Sequence, residues 1–330
     1  MVTQGDSSQE HERRHLLDVA DLDWSALRQL LVSAESMQRL LDSTAGGSDD
    51  LRGVGVTTLF YEPSTRTRIS FEIAAAALGA RVSTFNVATS SVGKGESLLD
   101  TVRTLEALRT AVIVLRHERA GAPWFAARHF GGSIINAGDG WHAHPTQALL
   151  DLSVLSRHLG DRDGSLVGRR IAIVGDLLHS RVVRSNLHTL TTAGADVILT
   201  GPAKLITGFA ELAQSLRGAR GGVRVVTSLD EALDDVDAVM ALRIQRERLA
   251  AGELDSLEAY RSAWGLTAAR LAALAPRALV LHPGPMNEGV EIDPEVADGP
   301  RSLVLEQVRA GIPMRMAVLH QVVRGARAHG

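Results

Sequence analysis

Hydrophobic and polar positions along the chain show two patterns, one typical of helices and one typical of strands. Between residues 24 and 41, apolar side chains recur every three or four positions, as on one face of a helix, before a loop at 46–48. The apolar-rich run at 54–61 predicts a buried strand, and 82–87 and 111–115 predict two further short strands; stretches of helical spacing separate them. Such alternation predicts a parallel sheet with helices on its faces. One of those helical stretches carries the apolar positions Leu98, Leu99, Val102, Leu105 and Leu108.

A second alternating series follows the polar stretch 160–165. Its predicted strands are 170–174, 196–199, 223–226, 238–242 and 278–281. A helix that starts near Thr146 links the two series, and we place the domain boundary in or near it. Residues 303–327 have a helical pattern, and we expect this helix to pack back on the first domain.

The fold class that this pattern predicts is α/β, with two similar-sized domains that each contain a parallel sheet flanked by helices. The predicted segments are a flexible tail at 1–15, a first domain at 16–150, a second domain at 151–302 and a final helix at 303–330. The chain has 330 residues, 45% of them hydrophobic, which is enough for two cores.

Composition narrows the function classes. A formal net charge of -3 gives no electrostatic reason to expect nucleic acid or an anionic membrane as a partner. No apolar run is long enough to span a membrane, and the first residues lack the core of a signal peptide. The absence of cysteine excludes a disulfide framework, thiol catalysis and a zinc-thiolate site. It fits a reducing compartment, and we expect a cytoplasmic protein.

Residues 60–68 join the first apolar run to an alanine-rich helix. Pro63 breaks the strand, and Ser64 is placed to cap the helix. Its apolar face includes Phe71, Ala75 and Leu78. Free backbone N–H groups and the positive end of the helix dipole meet there, and Arg66 and Arg68 add full charges. The motif predicts a phosphate site; the alternative is a capped helix with two solvated arginines.

The second domain has a strand that ends at Gly175, but no glycine-rich turn follows, so we predict no nicotinamide cofactor. The carboxyl ends of its strands carry the segments 176–181, 243–248 and 282–285. Two guanidinium groups facing a cleft there are suited to a dicarboxylate. The alternative, a solvated basic face, is favoured for two of the arginines, Arg246 and Arg248.

Other candidate residues lie in loops of the first domain. Lys94 belongs to a flexible loop at 90–97, where its ammonium could close over an anion. Arg116 ends a strand, and we weigh a site role equally against a rim ion pair. His144 and Gln147 begin a helix after a turn-rich loop at 136–147. His142 and His144 lack a third ligand at convincing spacing, so we predict no metal.

These segments resemble the catalytic chains of the aspartate carbamoyltransferase family. Five of them occur in the family's order: 64–68, 94–97, 144–151, 243–245 and 282–285. The similarity covers about residues 17 to 325. Ornithine carbamoyltransferase is the alternative, but it typically has a cysteine near the second substrate and lacks the lysine that is here Lys94. A noncatalytic scaffold for dihydroorotase is a further alternative, which the presence of a complete set of site residues disfavours.

The resemblance implies that the active site lies in the cleft between the domains, where carbamoyl phosphate and L-aspartate react in pyrimidine biosynthesis. The implied catalytic residues are Arg66, Thr67, Arg116 and His144. The implied carbamoyl phosphate site comprises Ser64, Thr65, Arg66, Thr67, Arg116, His144, Gln147, Pro283, Gly284 and Pro285. The implied aspartate site comprises Lys94, Arg181, Arg243 and Gln245, and no cofactor is implied.

The resemblance also implies a homotrimer in which a neighbouring subunit supplies Lys94 and either Ser90 or Ser91. A larger assembly with dihydroorotase or regulatory chains is left open. Two features depart from the family. Glu288 stands where arginine is common, and the loop before Lys94 is one residue shorter than in some relatives.

Overall fold

The computed structural model describes residues 14–86, 95–216, 220–245, 248–249 and 252–328. Within these ranges the chain forms two parallel β-sheets with helices on their faces, which confirms the predicted α/β class. The first part comprises α1 (Trp24–Asp42), β1 (Gly55–Phe60), α2 (Thr65–Ala77), β2 (Arg81–Asn86), α3 (Leu98–Ala107), β3 (Val112–His117), α4 (Ala122–His129), β4 (Ser133–Asp139) and α5 (Pro145–Leu159).

The second part continues the alternation. It comprises β5 (Arg170–Val174), α6 (Arg181–Thr192), β6 (Asp196–Thr200), α7 (Phe209–Ser215), β7 (Val223–Val225), α8 (Leu229–Leu233), β8 (Ala238–Ala241), α9 (Leu257–Trp264), α10 (Ala268–Leu274), β9 (Leu279–Leu281) and α11 (Pro294–Ala297). The long helix α12 (Val304–Ala328) follows it. None of the helices in the described ranges combines the length and apolar character needed to cross a membrane.

Strand order fixes where a ligand can bind. The first sheet has the order β2-β1-β3-β4 and the second has the order β7-β6-β5-β8-β9. In each sheet the chain builds strands on one side and then returns to build on the other, first between β1 and β3 and then between β5 and β8. Parallel α/β sheets open a crevice at the carboxyl ends of the strands at such a point. The predicted site segments follow these strands.

Helices α5 and α12 join the two halves. Residues of α5 from Pro145 to Ser156 are all buried. Helix α12 packs on α1, α2 and α5, although it follows the second sheet in the chain. One apolar cluster includes Val56 and Val112 of the first sheet and Ile171 of the second. Because each such side chain contributes about 1.5–3 kcal/mol when it is fully buried, this shared core holds the sheets around the crevice.

Strand β4 contradicts the prediction that residues 136–147 are a turn-rich loop throughout. Asn136, Gly138 and Asp139 favour turns, yet they lie in this strand. The Asn136 amide donates to the Leu17 carbonyl at 2.9 Å and to Asp139 Oδ1 at 2.9 Å. Tertiary contacts therefore satisfy the polar groups that suggested a turn.

Leu108 was also predicted wrongly. It was predicted to share one helix face with the other apolar positions, but α3 ends at Ala107 and Leu108 is 71% exposed. The chain reverses direction there through Arg109, whose φ is 63°. Helix α4 was not predicted, and Val87, the last residue of a predicted strand, lies outside the described residues.

Candidate active site

The predicted phosphate motif forms the N-terminus of α2. The first backbone hydrogen bond of this turn runs from the Arg68 N–H to the Ser64 carbonyl, at 3.1 Å, so the N–H groups of residues 65–67 precede it. Ser64 is the N-cap by its backbone, but its side chain makes no capping bond. Its hydroxyl instead donates to Thr67 Oγ1 at 3.0 Å. Ser64 is thus the predicted N-cap residue, but without a side-chain capping bond. The open N–H groups are suited to an anion.

The two arginines of the motif have different surroundings. The Arg66 guanidinium reaches the second domain, since a Cβ atom at Gly284 would stand only 2.9 Å from its Cζ atom. Gly284 has a φ of 66° and precedes a cis bond to Pro285. Arg68 instead lies 4.0 Å from Glu72 and is 41% exposed. The structure therefore brings Arg66, which is itself exposed, to the segment that contains Pro283, Gly284 and Pro285, whereas Arg68 faces Glu72.

Glu62 is a site residue that sequence reasoning missed. Its Oε1 atom accepts from Arg116 Nη2 at 2.5 Å and from Arg181 Nη2. Its Oε2 atom lies 3.6 Å from Arg248 Nη2. Arg116 belongs to the first sheet, whereas Arg181 and Arg248 belong to the second domain. This carboxylate therefore links the two sides of the cleft.

The charges of this cluster act on one another. Burial alone would raise the pKa of Glu62, but the hydrogen bond from Arg181 and the charges of Arg116, Arg181 and Arg248 lower that pKa. Burial, followed by repulsion from Arg181, lowers the pKa of Arg116 to about 10. A Cβ atom at Gly138, where φ is 120°, would stand 3.1 Å from Arg116 Nη1 and 3.2 Å from Arg181 Cζ. Glycine thus allows both guanidinium groups to approach the backbone.

Arg116 forms an ion pair, but with Glu62 inside the cleft and not at a rim. Its side chain is 11% exposed, and Nη1 donates to the Ala137 carbonyl at 3.2 Å. Its role in a site stays a prediction.

His144 is the N-cap residue of α5 and lies at the back of the cleft. Its backbone N–H donates to Ser185 Oγ at 2.9 Å, which ties the start of this helix to α6. Its Nδ1 atom is buried without a hydrogen-bond partner among the described residues. Burial first, and then the charges of Arg116, Arg181 and Arg315, lower the pKa of His144 well below its ordinary value. A neutral imidazole here can donate one hydrogen bond to a ligand oxygen.

We expect His144 to remain neutral at pH 6.5, where an unperturbed histidine is half protonated. Nitrogen NMR of the ring, assigned with a His144→Ala variant, measures this directly. His142 provides an internal control, because its hydrogen bond with Asp139 raises its pKa, so His142 should be mostly protonated at the same pH. A His144 ring that is half protonated at pH 6.5 would contradict this electrostatic description.

Gln147 lies in the first turn of α5 and is buried. Its amide Nε2 donates to Asp151 Oδ1 at 2.9 Å. Across the cleft, the backbone N–H of His282 donates to Gln307 Oε1 at 2.9 Å, and His282 Nδ1 accepts from the Gly284 N–H at 2.8 Å. These bonds fix the backbone that leads into Pro283 and Gly284.

The proposed aspartate side lies after β5 and β8. Arg243 follows β8 and is half-buried, and the Gln245 amide donates to the His179 carbonyl at 2.9 Å. Arg248 was favoured as a solvated arginine, which is wrong: it is 18% exposed and donates to the same carbonyl at 3.0 Å. Its pairing with Glu62 explains why it is drawn inward. The predictions for Ser90, Ser91, Lys94 and Arg246 fall outside the described residues.

The histidine pair that raised the question of a metal is separated by its partners. The His142 ring lies 3.5 Å from Asp18 and 3.4 Å from Asp139, whereas His144 faces the arginines. In the part of the chain that the structure describes, there is no group of three or more His, Asp or Glu side chains suited to a metal ion.

Two family models match most of the chain. The model for the carbamoyl-phosphate-binding domain of aspartate/ornithine carbamoyltransferase matches residues 14–157. The model for the aspartate/ornithine-binding domain matches residues 167–322. The chain belongs to the aspartate/ornithine carbamoyltransferase family. The family resemblance of the five sequence segments is thereby confirmed.

Individual relatives agree with the family assignment. The chain is 50% identical over 310 residues to the aspartate carbamoyltransferase catalytic subunit of Chloroflexus aggregans, covering 94% of this chain and 98% of the relative. It resembles the aspartate transcarbamoylase of Trypanosoma cruzi, solved with carbamoyl phosphate and aspartate, with a TM-score of 0.84 and 32% identity over 93% of this chain and 96% of that one. It also resembles the catalytic subunit of M. jannaschii aspartate transcarbamoylase, with a TM-score of 0.82 and 35% identity over 94% of this chain and 98% of that one.

Proposed function

We propose that the chain is an aspartate carbamoyltransferase that acts in the de novo synthesis of pyrimidines, on the way to UMP. It transfers the carbamoyl group of carbamoyl phosphate to the amine of L-aspartate, and the products are N-carbamoyl-L-aspartate and phosphate. One observation carries the proposal: the N-terminus of α2 and the side chains of Arg66, Arg116, Arg181 and His144 converge on one cleft between two sheets. Such a cleft fits a phosphate on one side and carboxylates on the other.

Carbamoyl phosphate binds on the first domain. The backbone N–H groups and hydroxyls of residues 64–67 hold its phosphate, and the Arg66 guanidinium neutralises the charge that grows as phosphate leaves. Thr67, Arg116 and His144 donate to the carbamoyl oxygen. Gln147 and the carbonyls near Pro283 and Gly284 accept from the carbamoyl amino group, and Pro285 holds the turn. No ion pair among the described residues occupies Arg66, which suits a group that meets an anionic ligand.

L-Aspartate binds on the second domain. Arg181 and Arg243 face its two carboxylates, and Gln245 adds an amide donor. If the δ-amine of ornithine attacked the carbamoyl carbon, its α-ammonium would meet the guanidinium groups that hold the aspartate carboxylates, so charge favours the dicarboxylate. Lys94, together with Ser90 or Ser91, completes this site from a neighbouring subunit.

The reaction needs positioning and fixed donors. The aspartate amine attacks the carbamoyl carbon, the new C–N bond forms, and the bond from that carbon to the phosphate oxygen breaks. The electron pair leaves with phosphate, which also accepts the amine proton. Negative charge that develops on the carbamoyl oxygen meets Thr67, Arg116 and neutral His144, which are already oriented.

Phosphate release by the purified chain tests this function. With carbamoyl phosphate as donor, we expect release with L-aspartate and none above background with L-ornithine. Release with ornithine alone would contradict aspartate as the acceptor and keep carbamoyl phosphate as the donor. Silence with both, persisting when dihydroorotase is added, would overturn catalysis altogether; activity only with dihydroorotase present would show a partner-dependent enzyme.

An Arg243→Ala variant separates the two substrates. We expect the aspartate KM to rise about tenfold or more, because a charge-assisted hydrogen bond contributes about 1.5–3 kcal/mol. Binding of carbamoyl phosphate, measured by calorimetry, should be unchanged, since Arg243 follows β8 on the other side of the cleft. An equal loss of affinity for both ligands would contradict the assignment of Arg243 to aspartate.

Assembly and location belong to the same proposal. A homotrimer lets each subunit lend Lys94 to its neighbour, and a cytoplasmic location suits a cysteine-free chain. Sedimentation of the purified protein, repeated with dihydroorotase added, measures the trimer and any larger assembly. A stable, active monomer would contradict the shared site.

A further inference from the structure

Asp151 is a buried carboxylate of α5 that receives three amide donors from three helices. Its Oδ1 atom accepts from Gln147 Nε2 at 2.9 Å and from Gln307 Nε2 of α12 at 2.7 Å. Its Oδ2 atom accepts from Asn186 Nδ2 of α6 at 2.9 Å. The side chain has no exposed surface. A carboxylate at this position is an acceptor hub inside the protein.

The Asp151 carboxylate determines the orientation of the Gln147 and Gln307 side-chain amides. An ionised carboxylate can only accept, so Gln147 and Gln307 must both turn their NH₂ groups toward Asp151. Gln307 then presents its oxygen to the N–H of His282, as the 2.9 Å bond shows. Gln147 is left with its Oε1 atom as an acceptor, which takes no hydrogen bond from the described residues. Both orientations follow from one buried charge.

We propose that Asp151 is a positioning residue that makes the carbamoyl pocket an acceptor for an amino group. It turns the Gln147 oxygen toward the ligand, and through Gln307 and His282 it holds the backbone of Pro283 and Gly284. The inference rests on the proposed function. It explains how the site would select a carbamoyl group, whose N–H groups can donate to Gln147, over an acetyl group of the same shape.

The electrostatics agree with this role. Burial raises the pKa of Asp151 to about 6, and the bonds from Asn186, Gln307 and Gln147, with the charge of Arg315, oppose that rise. At neutral pH the group is therefore ionised and accepts only. Arg315 of α12 is the charged group that acts on it, and the other three contacts are neutral amides.

The test compares carbamoyl phosphate with acetyl phosphate, whose methyl group replaces the amino group, as donors to L-aspartate. With acetyl phosphate the same C–N bond forms and the same C–O bond breaks, giving N-acetyl-aspartate and phosphate. In Asp151→Asn, the Asn amide can donate as well as accept, so Gln147 loses its fixed orientation. We expect the kcat/KM ratio of the two donors to fall about tenfold or more, because only carbamoyl phosphate uses the Gln147 oxygen. The rate with acetyl phosphate should change little.

Asn186→Ala is the matched control, because it removes a donor from the other oxygen of Asp151 and touches neither glutamine. Because loss of this bond lets the pKa of Asp151 rise further, the control is measured at pH 8, where Asp151 stays ionised. It should lower the melting temperature and leave the donor ratio at that pH unchanged. An unchanged ratio in Asp151→Asn, or an equal fall in both donor rates, would overturn the inference while carbamoyl transfer by the wild-type chain upheld the proposed function.

If Asp151→Asn fails to fold, the wild-type chain supplies the answer. The ratio of kcat/KM for the two donors is measured as pH falls through about 6, the pKa of Asp151. Other titrating groups that affect both donors equally do not change this ratio. It should decline as Asp151 gains a proton and becomes able to donate to Gln147. A ratio that stays constant across that range would overturn the inference.

Discussion

Replacing Arg66 with alanine is expected to lower turnover about 100- to 1,000-fold, the usual effect of removing one fixed donor from a developing charge. The guanidinium stands at the N-terminus of α2 and against Gly284 of the other domain. In the proposed function this guanidinium stabilises the phosphate as it leaves. Because that charge grows in the transition state, kcat should fall more than the affinity for carbamoyl phosphate. Steady-state phosphate release with both substrates saturating measures the change.

Arg68→Ala is the control for this result. The residue lies two positions away in the same helix turn, but its partly exposed side chain faces Glu72 and not Gly284. We expect its turnover to stay within a few-fold of the wild-type value, since exposed ion pairs contribute about 0–1 kcal/mol. Near-normal turnover of Arg66→Ala, or an equal loss in both variants, would contradict the role of Arg66 on leaving phosphate.

Glu62→Gln is expected to raise the aspartate KM about tenfold or more and to lower stability by about 3 kcal/mol. The carboxylate joins Arg116 to Arg181 and Arg248, so its loss leaves three guanidinium groups facing one another. The cleft should then open and move the aspartate ligands apart. The lost negative charge also raises the local positive potential, so carbamoyl phosphate should bind as well as before or better. Calorimetry for each ligand and thermal unfolding measure these effects.

Glu72→Gln in α2 controls for the loss of one negative charge at a half-buried carboxylate, which accepts from Thr58 and Thr84. It should leave both affinities unchanged.

The pH dependence of the stability that Glu62 contributes has a definite sign. The pKa of Glu62 is lower in the folded chain than its ordinary value of 4.5. The stability that this carboxylate contributes is therefore complete above pH 4.5 and is lost as pH falls through the lower pKa of the folded state. Equal weakening of both ligands in Glu62→Gln would show that the carboxylate supports the whole fold rather than domain closure.

The fold was predictable where one face of an element is apolar. The runs that became β1 and β5 are buried throughout or nearly so, and their neighbours in the chain are amphipathic helices. Strand β4 could not be predicted in this way, because Asn136 and Asp139 bond within a tertiary network that local pattern does not show. The prediction for Leu108 was wrong because the helical spacing of apolar residues continues one position beyond the end of α3.

The site shows the same division. Arg66, His144 and Gln147 belong to short motifs, so their positions at helix starts indicate ligands. Glu62 gave only one signal, an acidic side chain inside an otherwise anion-binding segment, and its partners come from residues more than 50 positions away. Asp151 gave still less, because a single aspartate in a helix is usually solvated.

Helix α12 sets the order in which the protein can be completed. It packs on α1, α2 and α5 after the whole second sheet has intervened, and Ser133 Oγ donates to the Val322 carbonyl across 189 residues. During synthesis, the first sheet leaves the ribosome with part of its apolar surface uncovered until α12 has been translated. Contacts between such distant residues also close slowly. The nascent first domain is therefore the stage at which this chain most needs protection from aggregation.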